Sequence, residues 1–249
     1  MKVALVTQAR LASSRLPNKI LLSVGAHSAL QLHLRRLKKC KSVDQFILAT
    51  TLEPGVEEII KVAQAEGFDF FQGSIDDVLE RFYLSVKLSR PETIVRVTSD
   101  CPLIDPKIID EIISRHLRAG VDYSSNTLNP TLPDGMDCEV FSFAALEKAY
   151  SEAKLKSERE HVTPYIWKNS DIKGGTLFKA LSVEFPEHAQ DLRMTLDHPE
   201  DLNLIRKLVE LVGVDADWKT YAEALKKINV TSGFARNEGY FKSTKADES

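Results

Sequence analysis

The stretch QARLASSRLPNK, residues 8–19, directly follows the apolar run VALVT, residues 3–7. The run is typical of a buried strand, so the stretch forms the loop at that strand's carboxyl end. The loop contains no glycine but is rich in cationic and hydroxyl side chains: Arg10, Arg15, Lys19, Ser13 and Ser14. Fixed positive charges beside hydroxyl and backbone donors suit a polyphosphate, whereas composition alone equally allows a solvated surface loop.

The rest of the chain places this loop in a parallel sheet. Runs that predict strands lie at residues 3–7, 46–50, 68–71, 93–97 and 122–126. Amphipathic segments that predict helices lie between them, at residues 28–40, 54–66, 76–89 and 106–119. This alternation predicts an α/β fold with a mostly parallel sheet and helices on both faces. In such a sheet the ligand crevice lies at the carboxyl ends of the strands, where residues 8–19 begin.

Local signals set the ends of several of these helices. Asp105 before Pro106 is typical of an N-cap followed by a first-turn proline. Ser28 can cap the helix that follows it, and Gly67 and Gly120 stand where helices should end.

The pattern changes after residue 126. The segment at about 130–175 contains a turn-rich loop, the strand candidate MDCEVFSF and a short helix interrupted by a proline, which predicts an insertion or flap. The alternation resumes as a strand at RMTLD, residues 193–197, followed by a helix from Pro199 and a last helix near 217–228. Residues 231–249 form a polar tail that we expect to be loosely held.

Composition excludes several classes of protein. The 33 lysines and arginines and 36 aspartates and glutamates give a net charge of −3, so no nucleic-acid partner is expected. Cys40, Cys101 and Cys138 are odd in number and widely spaced, which argues against disulfides and zinc and favours reduced thiols. No stretch approaches the roughly 20 apolar residues of a membrane span. We therefore expect a single-domain cytoplasmic protein with no membrane partner.

The loop QARLASSRLPNK resembles the A-R-x-x-S-[ST]-R-L-P-G-K signature of the CTP:sugar-acid cytidylyltransferases, which include the CMP-3-deoxy-manno-octulosonate and CMP-sialic acid synthetases. Within that family the match is best to the group called spore coat polysaccharide biosynthesis protein F. Further matching segments follow in the same order, at residues 73–82, 95–106, 122–127, 133–142, 157–166 and 193–202. The G-x-G-x-R start of the general sugar-1-phosphate nucleotidylyltransferases is absent, which favours cytidine.

The resemblance implies a Rossmann-like, GT-A-like nucleotidyltransferase fold over residues 1–230. It also implies a homodimer contact made by the insertion at about 130–175, where Phe141, Phe143, Tyr165 and Trp167 lie. A second small core in that segment is the alternative from sequence alone. Two positions depart from the family pattern, since Asn18 and Ser99 stand where glycine is usual. Asn18 can keep a left-handed backbone at modest cost, whereas the side chain of Ser99 could crowd a phosphate.

Asp100 and Asp197 each end an apolar run and should project from the carboxyl edge of the sheet. Two carboxylates, completed by phosphate oxygens and waters, suit Mg²⁺. Alternatively, Asp197 caps the helix that starts at Pro199, and Asp100 caps a turn before Pro102. The resemblance favours the metal site.

By resemblance, CTP reacts with a 2-keto sugar acid to give the CMP-sugar and pyrophosphate, in surface polysaccharide biosynthesis. The residues expected to carry catalysis are Arg10, Lys19, Asp100 and Asp197, the last two as Mg²⁺ ligands. The residues expected to bind CTP are Ala9, Arg10, Arg15, Lys19, Ser74 and Arg81. Asp76 and Asp77 are better explained as helix-start carboxylates.

Candidates for binding the sugar acid lie in the matching segments: Asn126, Asp137, Glu139, Arg159 and His161. Ser157 to Glu160 fits a capping box, which gives Glu160 a structural role. His161 could equally be a partly buried structural residue, and Arg193 pairs either with a ligand carboxylate or with a neighbouring acid.

The sequence leaves two other functions as alternatives. A metal-binding D-x-D at a strand end would indicate a nucleotide-sugar glycosyltransferase, and none stands there. A non-catalytic CTP-binding paralogue is supported only by Asn18 and Ser99.

Overall fold

The structure is a computed structural model that describes residues 2–13, 15–228 and 247. Ser14 and the predicted polar tail, apart from Asp247, lie outside the described residues. The strands are β1 (Val3–Gln8), β2 (Ser23–Val24), β3 (His27–Ser28), β4 (Gln45–Thr51), β5 (Asp69–Gly73), β6 (Thr93–Thr98), β7 (Tyr123–Ser125), β8 (Glu139–Ser142) and β9 (Ala180–Ser182). The α-helices are α1 (Ala29–Leu37), α2 (Glu57–Ala65), α3 (Val78–Val86), α4 (Pro106–Ala119), α5 (Phe143–Glu152), α6 (Lys156–His161), α7 (Pro164–Lys168), α8 (Pro199–Val212) and α9 (Trp218–Ile228).

The main sheet has seven strands in the order β5-β4-β1-β6-β8-β7-β9. Strands β5, β4, β1 and β6 are parallel to one another. Strand β8 is antiparallel to both β6 and β7, whereas β7 and β9 are parallel. The predicted mostly parallel α/β sheet is confirmed.

The predicted helix signals act as expected. Ser28 accepts a hydrogen bond from the backbone of Gln31 at the start of α1. Asp105 accepts one from the backbone of Lys107 at the start of α4, where Pro106 is the first residue. Gly67 and Gly120 adopt φ angles of 72° and 60°, a left-handed conformation that ends a helix at little cost in glycine.

Helices cover both faces of the sheet. On one face, α1, α2, α4, α8 and α9 bury apolar side chains against Leu5, Leu48 and Val95. On the other face, α3, α5 and α7 pack on Ala4 and Val6. Neighbouring strand residues serve opposite faces because successive side chains of a strand point to opposite sides.

Two predictions for the second half of the chain are corrected. Residues 139–142 form β8 inside the main sheet, so this part of the predicted insertion belongs to the sheet. Buried residues of the following segment, including Val162, Ile166 and Phe178, join the core shared with Ala4 and Val6 instead of a separate small core.

Residues 193–197, predicted as a strand, form no strand of the sheet. Their backbone hydrogen bonds go instead to two loops. Met194 donates to the carbonyl of Asp134, and Leu196 donates to the carbonyl of Asp100. The apolar side chains of Met194 and Leu196 are still buried, which explains the strand-like pattern.

Among the described residues, no helix is long and apolar enough to cross a membrane. Cys40, Cys101 and Cys138 are all buried, and none of them forms a disulfide.

Candidate active site

A cation bridges two carboxylates at the carboxyl edge of the sheet. The ammonium nitrogen of Lys19 lies 2.8 Å from Oδ1 of Asp197 and 3.3 Å from Oδ2 of Asp100. Asp100 follows β6, and Lys19 ends the loop that follows the neighbouring strand β1. The structure therefore brings together three of the four side chains that the sequence singled out for catalysis.

Asn18 sets the position of Lys19. Its φ of 54° and ψ of 25° are left-handed, as predicted for the position where glycine is usual. The chain then enters a 3₁₀ turn at Lys19–Leu21, in which Ile20 is buried in the core. The turn anchors the end of the loop, so the side chain of Lys19 is fixed close to Asp100. Ser99 is buried, and its backbone N–H donates to the carbonyl of Gln8 at 3.3 Å.

Asp197 is surrounded by further cations. Arg15 lies 3.2 Å from its Oδ1, and Arg193 lies 2.8 Å from its Oδ2. Arg193 also contacts Asp134 at 2.5 Å and Asp201 at 3.4 Å, so it pairs with neighbouring acids, one of the two roles considered from sequence.

Asp201, not Asp197, caps helix α8. The backbone N–H groups of Asp197 and His198 each donate to Oδ2 of Asp201 at 2.9 Å. The capping role considered for Asp197 is therefore wrong. Its carboxylate is left to face Lys19, Arg15 and Arg193.

The cations keep this cluster charged. Burial alone would raise the pKa of Asp100, but the charge and hydrogen bond of Lys19, together with a hydrogen bond from Thr98, lower that pKa below its ordinary value. Lys19 and Arg193 likewise hold the pKa of Asp197 well below its usual range despite burial. Burial opposes the charge of Lys19 too, yet the two carboxylates raise its pKa. At neutral pH all three groups are ionised.

The donor set fits a magnesium ion. Two carboxylates converge on one cation position, and no group of three or more histidine, cysteine or acidic side chains suited to a metal occurs among the described residues. Mg²⁺ commonly takes one or two carboxylates and completes its octahedron with waters and phosphate oxygens. Asp100 and Asp197 match that requirement, whereas a zinc or calcium site would need more protein ligands.

Sequence reasoning missed Glu53, which holds the cationic loop. Its Oε1 accepts hydrogen bonds from the backbone of Leu11 at 3.0 Å and of Ala12 at 2.8 Å. Its Oε2 accepts one from the hydroxyl of Thr51 at 2.7 Å. Glu53 follows β4, so its place just beyond a strand's carboxyl end was the available signal, the same one that marked Asp100.

Ser74 and Arg81 lie together beside the loop. Arg81 is 2% exposed and donates to the carbonyl of Ser74 at 2.5 Å, while its Nε has no partner among the described residues. Burial, with a smaller effect from the charge of Arg10, lowers the pKa of Arg81 to about 10, so it is still a cation at neutral pH. Arg10 itself is exposed. Ala9 is buried, and its N–H donates to the carbonyl of Ala49 at 3.1 Å.

A second polar cluster lies on the face of the sheet covered by α3, α5 and α7. Oε1 of Glu139 accepts hydrogen bonds from Tyr123 at 2.6 Å and from Thr163, and its Oε2 pairs with Arg96. Burial, followed by the charge of Arg96, lowers the pKa of His161 to about 4, so this imidazole is neutral at pH 7. Sequence reasoning identified Glu139 and His161 but missed Arg96.

Two other sugar-acid candidates are engaged elsewhere. The amide of Asn126 is buried, donates to the carbonyl of Met136 at 2.8 Å and accepts from the backbone of Cys138 at 2.9 Å. The guanidinium of Arg159 donates to Asp77 at 2.5 and 2.9 Å and to the carbonyl of Tyr150 at 2.8 Å. These contacts favour structural roles over the predicted ligand roles.

Two carboxylates cap the starts of helices α3 and α6. Asp77 caps α3 by accepting from the backbone of Glu80 at 2.8 Å, as expected. The capping box of α6 uses Glu158, which accepts from the backbone of Leu155 at 3.1 Å. The predicted box from Ser157 to Glu160 is wrong because α6 already begins at Lys156.

A cationic loop and two converging carboxylates at the carboxyl edge of a parallel sheet suit a nucleotidyltransferase, and the comparison with known families shows that class. A family model described as cytidylyltransferase matches residues 4–230. The chain belongs to this family, as its resemblance predicted, and is an enzyme that uses CTP.

Several known proteins are similar to this chain over most of its length. An uncharacterised protein of Methanocaldococcus jannaschii is 41% identical over 220 residues, covering 86% of this chain and 87% of the relative. Spore coat polysaccharide biosynthesis protein SpsF of Bacillus subtilis is 30% identical over 223 residues, covering 86% and 89%. A 3-deoxy-manno-octulosonate cytidylyltransferase of Nitratiruptor is 24% identical over 250 residues, covering 91% and 98%. A solved cytidylyltransferase from Leptospira borgpetersenii superposes with a TM-score of 0.86 at 32% identity, covering 94% of this chain and 100% of that one.

Proposed function

We propose that this enzyme transfers CMP from CTP to a 2-keto sugar acid of the nonulosonic or octulosonic type, releases pyrophosphate and depends on Mg²⁺. The observation that carries the proposal is the meeting of Lys19, Asp100 and Asp197 at one edge of the sheet. The relatives named for spore coat polysaccharide biosynthesis and for 3-deoxy-manno-octulosonate support a sugar-acid acceptor and a role in surface polysaccharide biosynthesis.

The cationic loop binds the triphosphate in this proposal. Lys19, Arg15 and Arg10 neutralise charge that builds on the phosphate oxygens during attack on the α-phosphorus. Asp100 and Asp197 hold the magnesium ion, which supplies Lewis-acid stabilisation of phosphate charge when it is bound. Lys19 already contacts both carboxylates, so it lies where phosphate oxygens and metal ligands must meet.

The base of CTP lies beside α3. Arg81 is a buried cation with an unpartnered Nε, and a buried charge of this kind calls for an acceptor. The oxygen and ring nitrogen acceptors of cytosine meet that demand, with Ser74 and the backbone carbonyl of Ala9 nearby as further candidates. Uracil carries a donor at the ring nitrogen, so this arrangement favours CTP over UTP.

The acceptor lies against the cluster around Glu139. His161 is neutral at pH 7 and can both donate and accept, which suits the hydroxyl groups of a sugar. The side chains of Asn126 and Arg159 bond to other parts of the protein, so we assign them a structural role around the acceptor site.

A second copy of the chain completes the enzyme as a homodimer. Leu155, Ile172 and Leu177 are 44%, 43% and 46% exposed on the segment that runs from α6 to β9. Large exposed apolar side chains on one segment of the chain favour association. Sedimentation velocity should give the mass of a dimer, and Leu177→Glu should shift it toward the monomer.

The experiment measures pyrophosphate release from CTP and Mg²⁺ with a panel of octulosonic and nonulosonic acids. We expect release with at least one acid, little release from UTP, and none with EDTA or with no acceptor. CTP binding without release on any acid would favour a non-catalytic paralogue, and transfer of a sugar from a nucleotide sugar would favour a glycosyltransferase.

A further inference from the structure

Arg96 has one paired donor group and one unpartnered donor. It lies opposite Glu139 in the register of β6 and β8, and its NH1 group donates to that carboxylate. Its Nε is buried and has no hydrogen-bond partner within the described part of the chain. The edge formed by Nε and NH2 of a guanidinium matches the two oxygens of one carboxylate. The Nε of Arg96 therefore lacks the acceptor that a buried donor calls for, and a ligand carboxylate would supply one.

Glu139 fixes the direction of that edge. Three donors use its carboxylate: Tyr123, Thr163 and Arg96. Its side chain is only 9% exposed, so little of the carboxylate can meet a sugar hydroxyl. Glu139 is thus a positioning residue for Arg96 and not itself a group that contacts the acceptor.

An unpartnered acceptor lies on the same face of the sheet. Gln8 of β1 pairs with Thr98, two residues beyond Arg96 in β6, so the three side chains point to one side. The side-chain oxygen of Gln8 is buried without a partner among the described residues. A buried orphan acceptor on the same face as a buried orphan donor is the combination that a ligand with both a carboxylate and hydroxyls would satisfy.

We propose that Arg96 binds the carboxylate of the acceptor and makes the enzyme select sugar acids over neutral and phosphorylated sugars. This inference rests on the proposed function and names the residue that recognises the carboxylate of the acceptor. Arg159, the cation that the sequence suggested near this site, is held by Asp77 and Tyr150.

The charge of the cluster favours a carboxylate over a phosphate. Arg96 already has one carboxylate partner, so the pair with Glu139 is close to neutral overall. A carboxylate adds one negative charge, whereas a phosphate monoester adds about 1.5 to 2 at pH 7. In a 2-keto acid the carboxylate is attached to the anomeric carbon, so holding it also fixes the attacking hydroxyl.

The test compares the best acid of the panel with its C1 amide and with a sugar phosphate of similar size. The variants are Arg96→Lys, which keeps the charge beside Glu139, and Arg96→Met combined with Glu139→Gln, which leaves no unpaired buried charge. Arg118→Met is the matched control, because Arg118 is 70% exposed at the end of α4. kcat/KM for each acceptor and KM for CTP are measured in every variant.

We expect the wild-type enzyme to prefer the acid over the amide by roughly 10- to 100-fold, the size of a lost charge-assisted pair of hydrogen bonds. The double variant should lose most of that preference, Arg96→Lys should lose part of it, and KM for CTP should stay within about twofold. An active variant that keeps the full preference overturns this inference alone. Wild-type activity on the phosphate or amide in preference to every acid overturns both proposals, and so does no release with any acid.

Discussion

The ammonium of Lys19 lies 2.8 Å from the carboxylate of Asp197, although 178 residues separate them in the chain. Asp100 lies 3.3 Å from the same nitrogen. Two carboxylates this close would repel each other in the partly buried edge of the sheet, and the lysine offsets that repulsion. The three side chains act as one electrostatic unit, so changing any of them should change the behaviour of the others.

Asp100→Asn and Asp197→Asn should each lower kcat by about 100-fold or more, because each removes one of the two carboxylates that we propose as ligands for Mg²⁺. The circular-dichroism spectrum should stay that of the wild type. Pyrophosphate release measures the rate, and Asp215→Asn is the control because Asp215 is 71% exposed in a surface pair with Lys39. Near-normal turnover in either variant would remove that aspartate from the metal site.

Lys19→Ala should mainly weaken CTP binding, with a rise in KM for CTP of about 10-fold or more from the loss of the charge-assisted contact that we propose between Lys19 and phosphate. Lys39→Ala removes a lysine from the surface pair with Asp215 and should leave KM unchanged. Unchanged CTP affinity in Lys19→Ala would refute the assignment of the cationic loop to the triphosphate.

Glu53→Ala should raise KM for CTP about 5-fold or more, because the backbone of Leu11 and Ala12 loses the acceptor that orders the loop. Glu53→Gln keeps a carbonyl oxygen in place and should show a smaller rise. Steady-state kinetics at varied CTP measures the effect. Equal KM values for the alanine variant and the wild type would show that the loop holds its shape without this carboxylate.

The first half of the fold could be predicted because β1, β4, β5 and β6 are short apolar runs separated by amphipathic helices. The position of β8 could not be predicted, since the pattern of a strand does not say which neighbours it pairs with. Residues 193–197 show the converse problem. Arg193 to Leu196 are all buried, as in a strand inside a sheet, but the backbone hydrogen bonds of this segment go to the loops at Asp134 and Asp100.

The residues of the candidate site likewise divide into those that the sequence could predict and those that it could not. Asp100 and Lys19 follow strands that the periodicity locates, so their convergence could be expected from the topology. Arg96 lies within a strand, where one polar residue among apolar ones only indicates a change of face. Glu53 stands just before a predicted helix, where an acidic residue is ordinary. Arg96 becomes visible only when the atoms that its side chain contacts are known. Glu53 also lies just beyond the carboxyl end of a strand, and that position was the one sequence signal for it.

Asn18→Ala should lower the free energy of unfolding by about 1 kcal/mol, because alanine tolerates the left-handed backbone at φ 54° less well than asparagine. For a chain of this size that corresponds to a fall in Tm of about 2–4 °C. Asn18→Gly, measured beside it by thermal denaturation, should be as stable as the wild type or more so. An alanine variant more stable than the glycine variant would contradict the assigned conformation.

Acid should destabilise the protein through its buried histidines, of which His116 gives the cleanest test. His116 is 4% exposed on α4, its Nδ1 lies 2.9 Å from the hydroxyl of Ser124, and burial lowers its pKa to about 4. An unfolded histidine has a pKa near 6.5. The unfolded state therefore binds more protons between these values, so the contribution of His116 is complete above about pH 6.5 and is lost as the pH falls toward 4.

Between pH 7 and pH 4.5 this loss should be on the order of 2 to 3 kcal/mol for His116 alone. Urea unfolding at the two pH values measures it, and His116→Gln should lose that much less stability on acidification than the wild type does. Comparing the pH difference within each variant removes any fixed cost of the substitution. His161 is also held neutral by burial, so part of the acid sensitivity should remain. The exposed His188, changed to glutamine, is the matched control, and an equal loss in His116→Gln and wild type would show that His116 is not kept neutral by the fold.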